Sequence, residues 1–332
     1  MKNNLLFGSI ILISILIVIW SSSYIKNTII LKELTPTNIE RPISPQGMFS
    51  ELFIDYENKQ FNILLLGISG ENYISGNLTD TIILASIHKE KSIANMFSIP
   101  RDLWVSDEFE NFSYLDKQGS PPTEGWQKIN EFYKLGGGKE KPDIKNSNII
   151  KNKIEQITGQ KIHRTVIINL KGIKEIIDII GGVETEEEKM NGEEALFFIQ
   201  DRSRPGSDFS RMLRQQKLII AIKEKLFNNN TLDKNPEKIA ELFEIGQKNI
   251  STDIGFLELL EFNSFIRNIQ KEDIGLYAIT TAQDSFLYSN LTNVAGKKIY
   301  TLHPNVGYEN YSEIQNFINK ILNNDNNNVT NK

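Results

Sequence analysis

Three apolar runs crowd into residues 61–99: FNILLLGI at 61–68, TIILASI at 81–87 and SIANMFSI at 92–99. Runs this short and continuous fit strands covered on both faces, so they demand further layers above and below them. The rest of the chain offers those layers. NSNIIKNKIEQITG reads as an amphipathic helix with a glycine stop, and RTVIINL as a strand. KGIKEIIDIIGG reads as a helix, as does GEEALFFIQ, which runs into a basic loop. SDFSRMLRQQKLIIAIKEKLF reads as a long helix with Ser207 or Asp208 as its N-cap. Residues 236–270 suggest two more helices, IGLYAIT and KKIYTLH two late strands, and 311–322 a last helix. Strands and helices alternate without a strict βαβ rhythm, which predicts an α/β domain: a mixed sheet with helices on both faces. No internal repeat interrupts this pattern.

Residues 5–20, LLFGSIILISILIVIW, carry no charge. With SSSYI they extend to about 21 residues, or ~31 Å of helix, enough to span a bilayer. Lys2 precedes the run and Lys26 and Lys32 follow it. Trp20 suits a membrane interface, and no small-residue cleavage pattern follows. The expected organisation is a cytoplasmic tip and single transmembrane anchor at 1–25, and a proline-punctuated linker at 26–55. An extracytoplasmic domain at 56–322 and a disordered, Asn-rich tail at 323–332 complete it. A cleaved secretory signal would export the domain equally. The net charge of −5 argues against non-specific nucleic-acid binding. The absence of cysteine removes disulfides, thiolate metal sites and cysteine nucleophiles together.

Charge gathers in two places. If 81–87 and 93–99 form an antiparallel hairpin, pairing Ile87 with Ile93 sets Asp80 opposite Pro100, with Arg101 beside it. The run at 61–66 can lie parallel or antiparallel to its neighbour. Only the antiparallel choice brings Gly67 and the loop 69–79 to the charged edge. Such an edge suits a ligand, and a surface salt bridge explains it as well. Asp102 is a candidate base or a strand-end cap. The second cluster is Arg202, Arg204, Arg211 and Arg214, spread over 13 positions around a helix start. Arg211 and Gln215 share a helix face, while Phe209, Met212, Leu213 and Ile219 supply the buried side. Guanidinium forks there oppose the helix dipole, so an anion such as phosphate gives them a reason to be present. A solvated basic face is the alternative. His88, His163 and His303 are scattered, GISGEN lacks the spacing of a nucleophile elbow, and GGGKEK lacks the Ser/Thr of a P-loop. Lys128 and Asn130 face the site or start a helix.

Together these strings resemble the LytR-CpsA-Psr family of cell-envelope glycan transferases. NILLLG, TDTIILASI, FSIPRDLWV, KINEFYKLGG, INLKGIKEIIDIIGGVE, MNGEEALFFIQDRSR and DFSRMLRQQ occur in the family's order between about residues 61 and 226. The resemblance implies an αβα sandwich that holds a polyprenyl-pyrophosphate-linked glycan. It further implies transfer of the glycan phosphate onto a cell-wall acceptor, usually peptidoglycan, with release of polyprenyl phosphate. By motif position, Asp80 would be a carboxylate of a Mg²⁺ site and Arg101 would contact the pyrophosphate. Arg202 matches the later arginine of a paired-arginine motif, Arg211 the arginine after an Asp-Phe pair, and Arg214 and Gln215 an Arg-Gln-Gln string. Three positions depart from the pattern. Ser69 stands where the family often has a metal carboxylate, with Glu71 the candidate substitute. Leu78 stands for a frequent arginine. Gln200 takes the place of the first paired arginine, unless Arg202 and Arg204 form the pair. A lipid-pyrophosphate hydrolase and a non-enzymatic glycolipid-binding protein are the competing readings.

Overall fold

The computed structural model describes residues 60–71, 73, 76–107, 123–201, 203, 207–227, 236–255, 258–259, 262, 266–281 and 285–327. In chain order its strands and helices begin with β1 (Gln60–Ile68), β2 (Thr79–His88), β3 (Ile93–Ser98), β4 (Trp104–Ser106) and β5 (Trp126–Lys128). Next come α1 (Phe132–Leu135), α2 (Asn148–Thr158), β6 (Arg164–Asn169), α3 (Leu170–Ile179), β7 (Val183–Glu184), β8 (Lys189–Met190), α4 (Gly192–Gln200) and α5 (Ser207–Phe227). The last are α6 (Pro236–Asn249), β9 (Ile250–Thr252), β10 (Ile274–Ala278), β11 (Leu287–Val294), β12 (Lys297–Pro304) and α7 (Ser312–Asn327).

The central sheet has the order β10-β3-β2-β1-β6-β9. β1 runs antiparallel to β2, and β2 to β3, while β6 and β10 join in parallel and β9 antiparallel. The sheet is therefore mixed, as the alternation of strands and helices predicts. Side-chain alternation along its inner strands sorts residues to two faces. Leu64, Leu66, Ile68, Ile82, Leu84, Phe97 and Ile99 pack with Ile150, Ile154 and Ile157 of α2 and Ile314 and Ile318 of α7. Ile83, Ala85 and Met96 on the other face pack under Ile220 of α5, and Phe61, Ile63, Ile87 and Ala94 under Phe262. Helices α3, α4, α5 and α6 share a second core beside the sheet through Ile177, Phe198, Leu218 and Leu242. The result is an αβα arrangement. Two layers of helix remove both faces of the central strands from water, which is why those strands tolerate no polar alternation.

The structure corrects several expectations. The β2–β3 hairpin pairs Ile87 with Ala94 and His88 with Ile93, one residue away from the expected register. Continued to the strand ends, this register puts Arg101, not Pro100, opposite Asp80. Of the two directions open for the first run, β1 takes the antiparallel one, so the loop after Gly67 returns at the charged edge. The long helix starts at Ser207, which places Asp208 inside its first turn rather than before it. Leu213 is 36% exposed and belongs to the solvent side. The last helix continues to Asn327, into the stretch expected to be disordered. Strands β4, β9 and β11 have no counterpart in the sequence reading. Among the described residues no helix is long and apolar enough to cross a membrane. The apolar run at 5–20 and the linker after it lie outside the described residues.

Candidate functional site

The site begins at a register fault. Gly67 pairs with Thr81 but Ile68 pairs with Thr79, so Asp80 is the surplus residue of a β-bulge at the end of β1 and β2. Bulges re-aim side chains, and this one turns a carboxylate out of an otherwise apolar strand. Gly67 permits the close approach, because a Cβ there would lie 2.9 Å from the Cβ of Thr81. The two oxygens of Asp80 have different partners. Ser69 Oγ, immediately after β1, donates to Oδ2 at 2.7 Å, and Arg101 Nη1 donates to Oδ1. Arg101 is held from behind by Asp102, whose Oδ2 lies 3.8 Å from Arg101 Nε and whose Oδ1 accepts from Lys128 Nζ at 2.5 Å. Asn130 N donates to the Arg101 carbonyl, fixing the backbone of the same turn.

Helix α5 closes the other side. Arg211 is only 4% exposed, and its Nη2 lies 2.8 Å from Asp208 Oδ1, one turn earlier. Its Nε is buried without a hydrogen-bond partner, as is the Nε of Arg101. Burial lowers the Arg211 pKa; Asp208 and Asp80 counter that shift and the charge of Arg101 adds to it. Two guanidinium groups thus line one carboxylate-bearing pocket, and planar guanidinium forks suit an anion such as phosphate. The cleft between them has a volume of about 240 Å³. Its polar lining is Ser69, Asp80, Thr81, Arg101, Gln200, Arg211 and Gln215, and its apolar lining includes Ile68, Leu170, Ile173 and Ile199. It opens at the carboxyl ends of the parallel pair β1 and β6, where open α/β sheets place ligands.

The LytR_cpsA_psr family matches residues 28–189 and 186–306, more than half of the chain. This chain belongs to the LytR_cpsA_psr family. A LytR_cpsA_psr relative from Enterococcus faecalis, the polyisoprenyl-teichoic acid–peptidoglycan teichoic acid transferase TagU, is 23% identical over 67% of this chain and 72% of its own length. The TagU of Bacillus cereus strain ATCC 14579 is 24% identical over 82% of this chain and 88% of its own length. The TagU of Oceanobacillus iheyensis is 27% identical, and this chain spans only 60% of its length. Among solved structures, Bacillus subtilis TagV superposes with a TM-score of 0.56 at 22% identity, covering 80% of this chain and 98% of TagV. TagT bound to LIIa-WTA superposes with a TM-score of 0.55 at 18% identity, covering 82% of this chain and 92% of that one. At such identities these superpositions establish the fold.

Within this LytR_cpsA_psr fold the motif residues divide. Asp80, Arg101, Gln200, Arg211 and Gln215 line the cleft. Arg202 and Arg204 lie outside the described residues. Arg214 does not line the cleft. Its Nε donates to the Phe198 carbonyl at 2.7 Å, its Nη1 to Ser210 Oγ at 3.1 Å and its Nη2 to the Asp201 carbonyl. It ties the last turn of α4 to α5. Asp102 is the ion partner of Lys128 and lies near Arg101, and it is not among the described lining residues. Glu71 is exposed and is not among the described lining residues. Two contributors escaped the sequence reading. The Ser69–Asp80 bond was hidden because Ser69 registered only as a lost carboxylate. Tyr73, 43% exposed at the rim, lay in a loop with no periodicity.

The donor chemistry bears on the Mg²⁺ that the family resemblance implies. Asp80 is the one carboxylate among the described lining residues, and no group of three or more His, Cys, Asp or Glu among the described residues could hold a metal. Protein donors alone would be too few. A carboxylate and a hydroxyl combined with phosphate oxygens do fit Mg²⁺, which commonly takes one or two protein ligands and the rest from substrate and water.

Proposed function

We propose that this chain transfers a glycan phosphate from a polyprenyl-pyrophosphate carrier to a hydroxyl of the cell wall, peptidoglycan or a similar polymer, and releases polyprenyl phosphate. The observation that carries the reading is that two guanidinium groups, Arg101 and the buried Arg211, line one cleft together with the Asp80 carboxylate. The TagU relatives' named activity supports the same chemistry. The acceptor oxygen would attack the phosphorus next to the glycan, forming a P–O bond. The bond from that phosphorus to the bridging oxygen would break, and its electron pair would leave with polyprenyl phosphate. The acceptor's proton would pass to solvent or to the leaving phosphate. Phosphoryl transfer asks a protein mainly for positioning and charge neutralisation, and no covalent nucleophile is needed. Arg101, steadied by Asp80 and Asp102, and Arg211, steadied by Asp208, would meet the charge growing on the leaving phosphate. Mg²⁺, held through Asp80, would add Lewis-acid neutralisation of the same oxygens. In this reading the domain acts outside the cell membrane on a single-pass anchor, and the apolar lining beside Ile173 and Ile199 receives the first carrier carbons.

Incubation with a lipid-pyrophosphate glycan, Mg²⁺ and wall fragments tests this. The expected product is wall-linked glycan together with lipid monophosphate. Arg101→Ala and Arg211→Ala should each lower the rate by at least about a hundredfold, the scale of one lost transition-state charge contact. Free glycan phosphate without linkage would make the protein a hydrolase. Full activity in both variants would refute the assignment.

A further inference from the structure

We propose that Tyr300 is a stacking platform for a sugar ring of the acceptor glycan, on the open face of the β11–β12 hairpin next to the turn that carries Arg101. The inference rests on the transfer reading above and deepens it by giving the acceptor strand a place to bind. Register puts Leu291 opposite Tyr300, Ser289 opposite Leu302 and Asn293 opposite Lys298, so all six share one face of the hairpin. That face changes character along its length. Leu302 is buried in the main core, its N–H donates to the Asp102 carbonyl at 3.0 Å, and Leu103 bridges to it. Two residues away Tyr300 is 45% exposed, and Leu291 across from it is 60% exposed. The opposite face is committed to the fold, with Thr301 and His303 buried and Ile299 packed against Trp104 and Trp126. The hairpin is thus anchored on the Arg101–Asp102 turn and presents an exposed aromatic ring beside it.

Burial raises the pKa of the Tyr300 hydroxyl, Ser289 opposes that shift through a hydrogen bond, and the Asp102 and Asp208 carboxylates add to it. Because Ser289 pairs with Leu302, a hydroxyl engaged there lays the ring along the hairpin rather than out from it. A ring lying on its support offers its π-face to the C–H face of a sugar, an apolar contact with polar groups around its edge. Asn293 and Lys298, both exposed farther along, supply donors for sugar hydroxyls. Sheet order fixes which end of the cleft this is. The apolar lining residues Leu170 and Ile173 follow β6, Arg101 follows β3, and β1 and β2 lie between them. A carrier lipid seated on the apolar lining leaves toward β6. In-line displacement then brings the attacking hydroxyl from the β3 end, where Tyr300 stands.

Titration calorimetry on the full-length chain in detergent tests this, with soluble peptidoglycan glycan strands as one probe and geranylgeranyl pyrophosphate as the other. Tyr300→Ala should weaken strand binding at least about tenfold, the scale of one lost aromatic contact, and leave pyrophosphate affinity unchanged. Tyr300→Phe should bind strands as the parent does, because the ring and not the hydroxyl makes the contact, and Leu291→Ala should show a smaller loss. In the transfer assay Tyr300→Ala should raise the KM for the wall acceptor and leave the KM for the lipid donor alone. Undiminished strand binding in Tyr300→Ala would overturn the proposal, as would parallel loss of both probes, which would mark Tyr300 as structural. Pyrophosphate binding without any strand binding by the parent chain would remove the platform and spare the diphosphate reading. Strand binding that depends on Tyr300 in a chain that fails to transfer would uphold the platform and refute the transferase reading.

Discussion

Arg211 and Arg214 stand three positions apart on α5 and do opposite work. Arg214 spends its donors on the Phe198 and Asp201 carbonyls and on Ser210, so the fold depends on it. Arg211 is buried with its Nε unspent, so the fold bears it. Replacing each by methionine should separate the two. Arg214→Met leaves buried carbonyls unmet and should cost about 2–4 kcal/mol in chemical denaturation. Arg211→Met removes an incompletely compensated buried charge and should leave stability unchanged or raise it by about 1 kcal/mol. The same variant should bind pyrophosphate roughly 10- to 100-fold more weakly, the range of a charge-assisted bond. A large loss of stability in Arg211→Met would mean that the guanidinium is structural. Sequence alone could place Arg211 and Gln215 on one face, because that follows from helical spacing. It could not separate Arg214 from them, because an arginine directed at carbonyls reads the same as one directed at a ligand.

Beside its apolar contacts with the sheet, helix α5 is pinned there by a buried amide. Gln216 is buried, and its Nε2 lies 3.0 Å from the Met96 carbonyl, 2.9 Å from Ser98 Oγ and 2.9 Å from the Tyr277 carbonyl. Its two protons, shared among three acceptors on β3 and β10, fix how far Arg211 reaches over the cleft. Gln216→Ala should cost about 1–3 kcal/mol in urea unfolding and leave buried acceptors exposed to competition. Amide exchange should rise first in β10, the edge strand, and unchanged protection there would argue against the pin. The strands that line the site were legible because burial on both faces leaves continuous apolar runs. β11, LYSNLTNV, was not: it belongs to an outlying hairpin whose residues alternate between partial burial and exposure, and its polar side chains imitate a loop. The three-residue strands β4 and β9 carry too few residues to show any period.

Away from the cleft, the domain carries a cost of acid built into its β11–β12 hairpin. His303 is fully buried, with Nε2 against Thr301 Oγ1 at 2.8 Å and Nδ1 without a partner. Burial lowers its pKa to about 4, against about 6.5 in the unfolded chain. The unfolded state therefore binds a proton that the folded state refuses between those two values. Stability should be full above about pH 6.5, decline as pH falls, and be lower by roughly 3 kcal/mol below about pH 4. Thermal melts between pH 7 and pH 4.5 should show that slope, and His303→Gln should flatten it; an identical slope in the variant would place the acid sensitivity elsewhere. Sequence marked His303 only as one of three scattered histidines, since burial of a hairpin residue depends on partners far along the chain.

The surplus residue at the Gly67–Ile68 fault also sets how freely this protein can change. On the core side of the fault, the apolar residues of β1 and β2 are divided between the layers on the two faces. Beyond it the phase is broken, so Asp80 owes nothing to either core. Deleting that one residue would heal the ladder and leave a smoother, inert strand. The Asp80 carboxylate is thus an insertion the scaffold could shed in a single step, and the cleft can drift without the architecture recording the change.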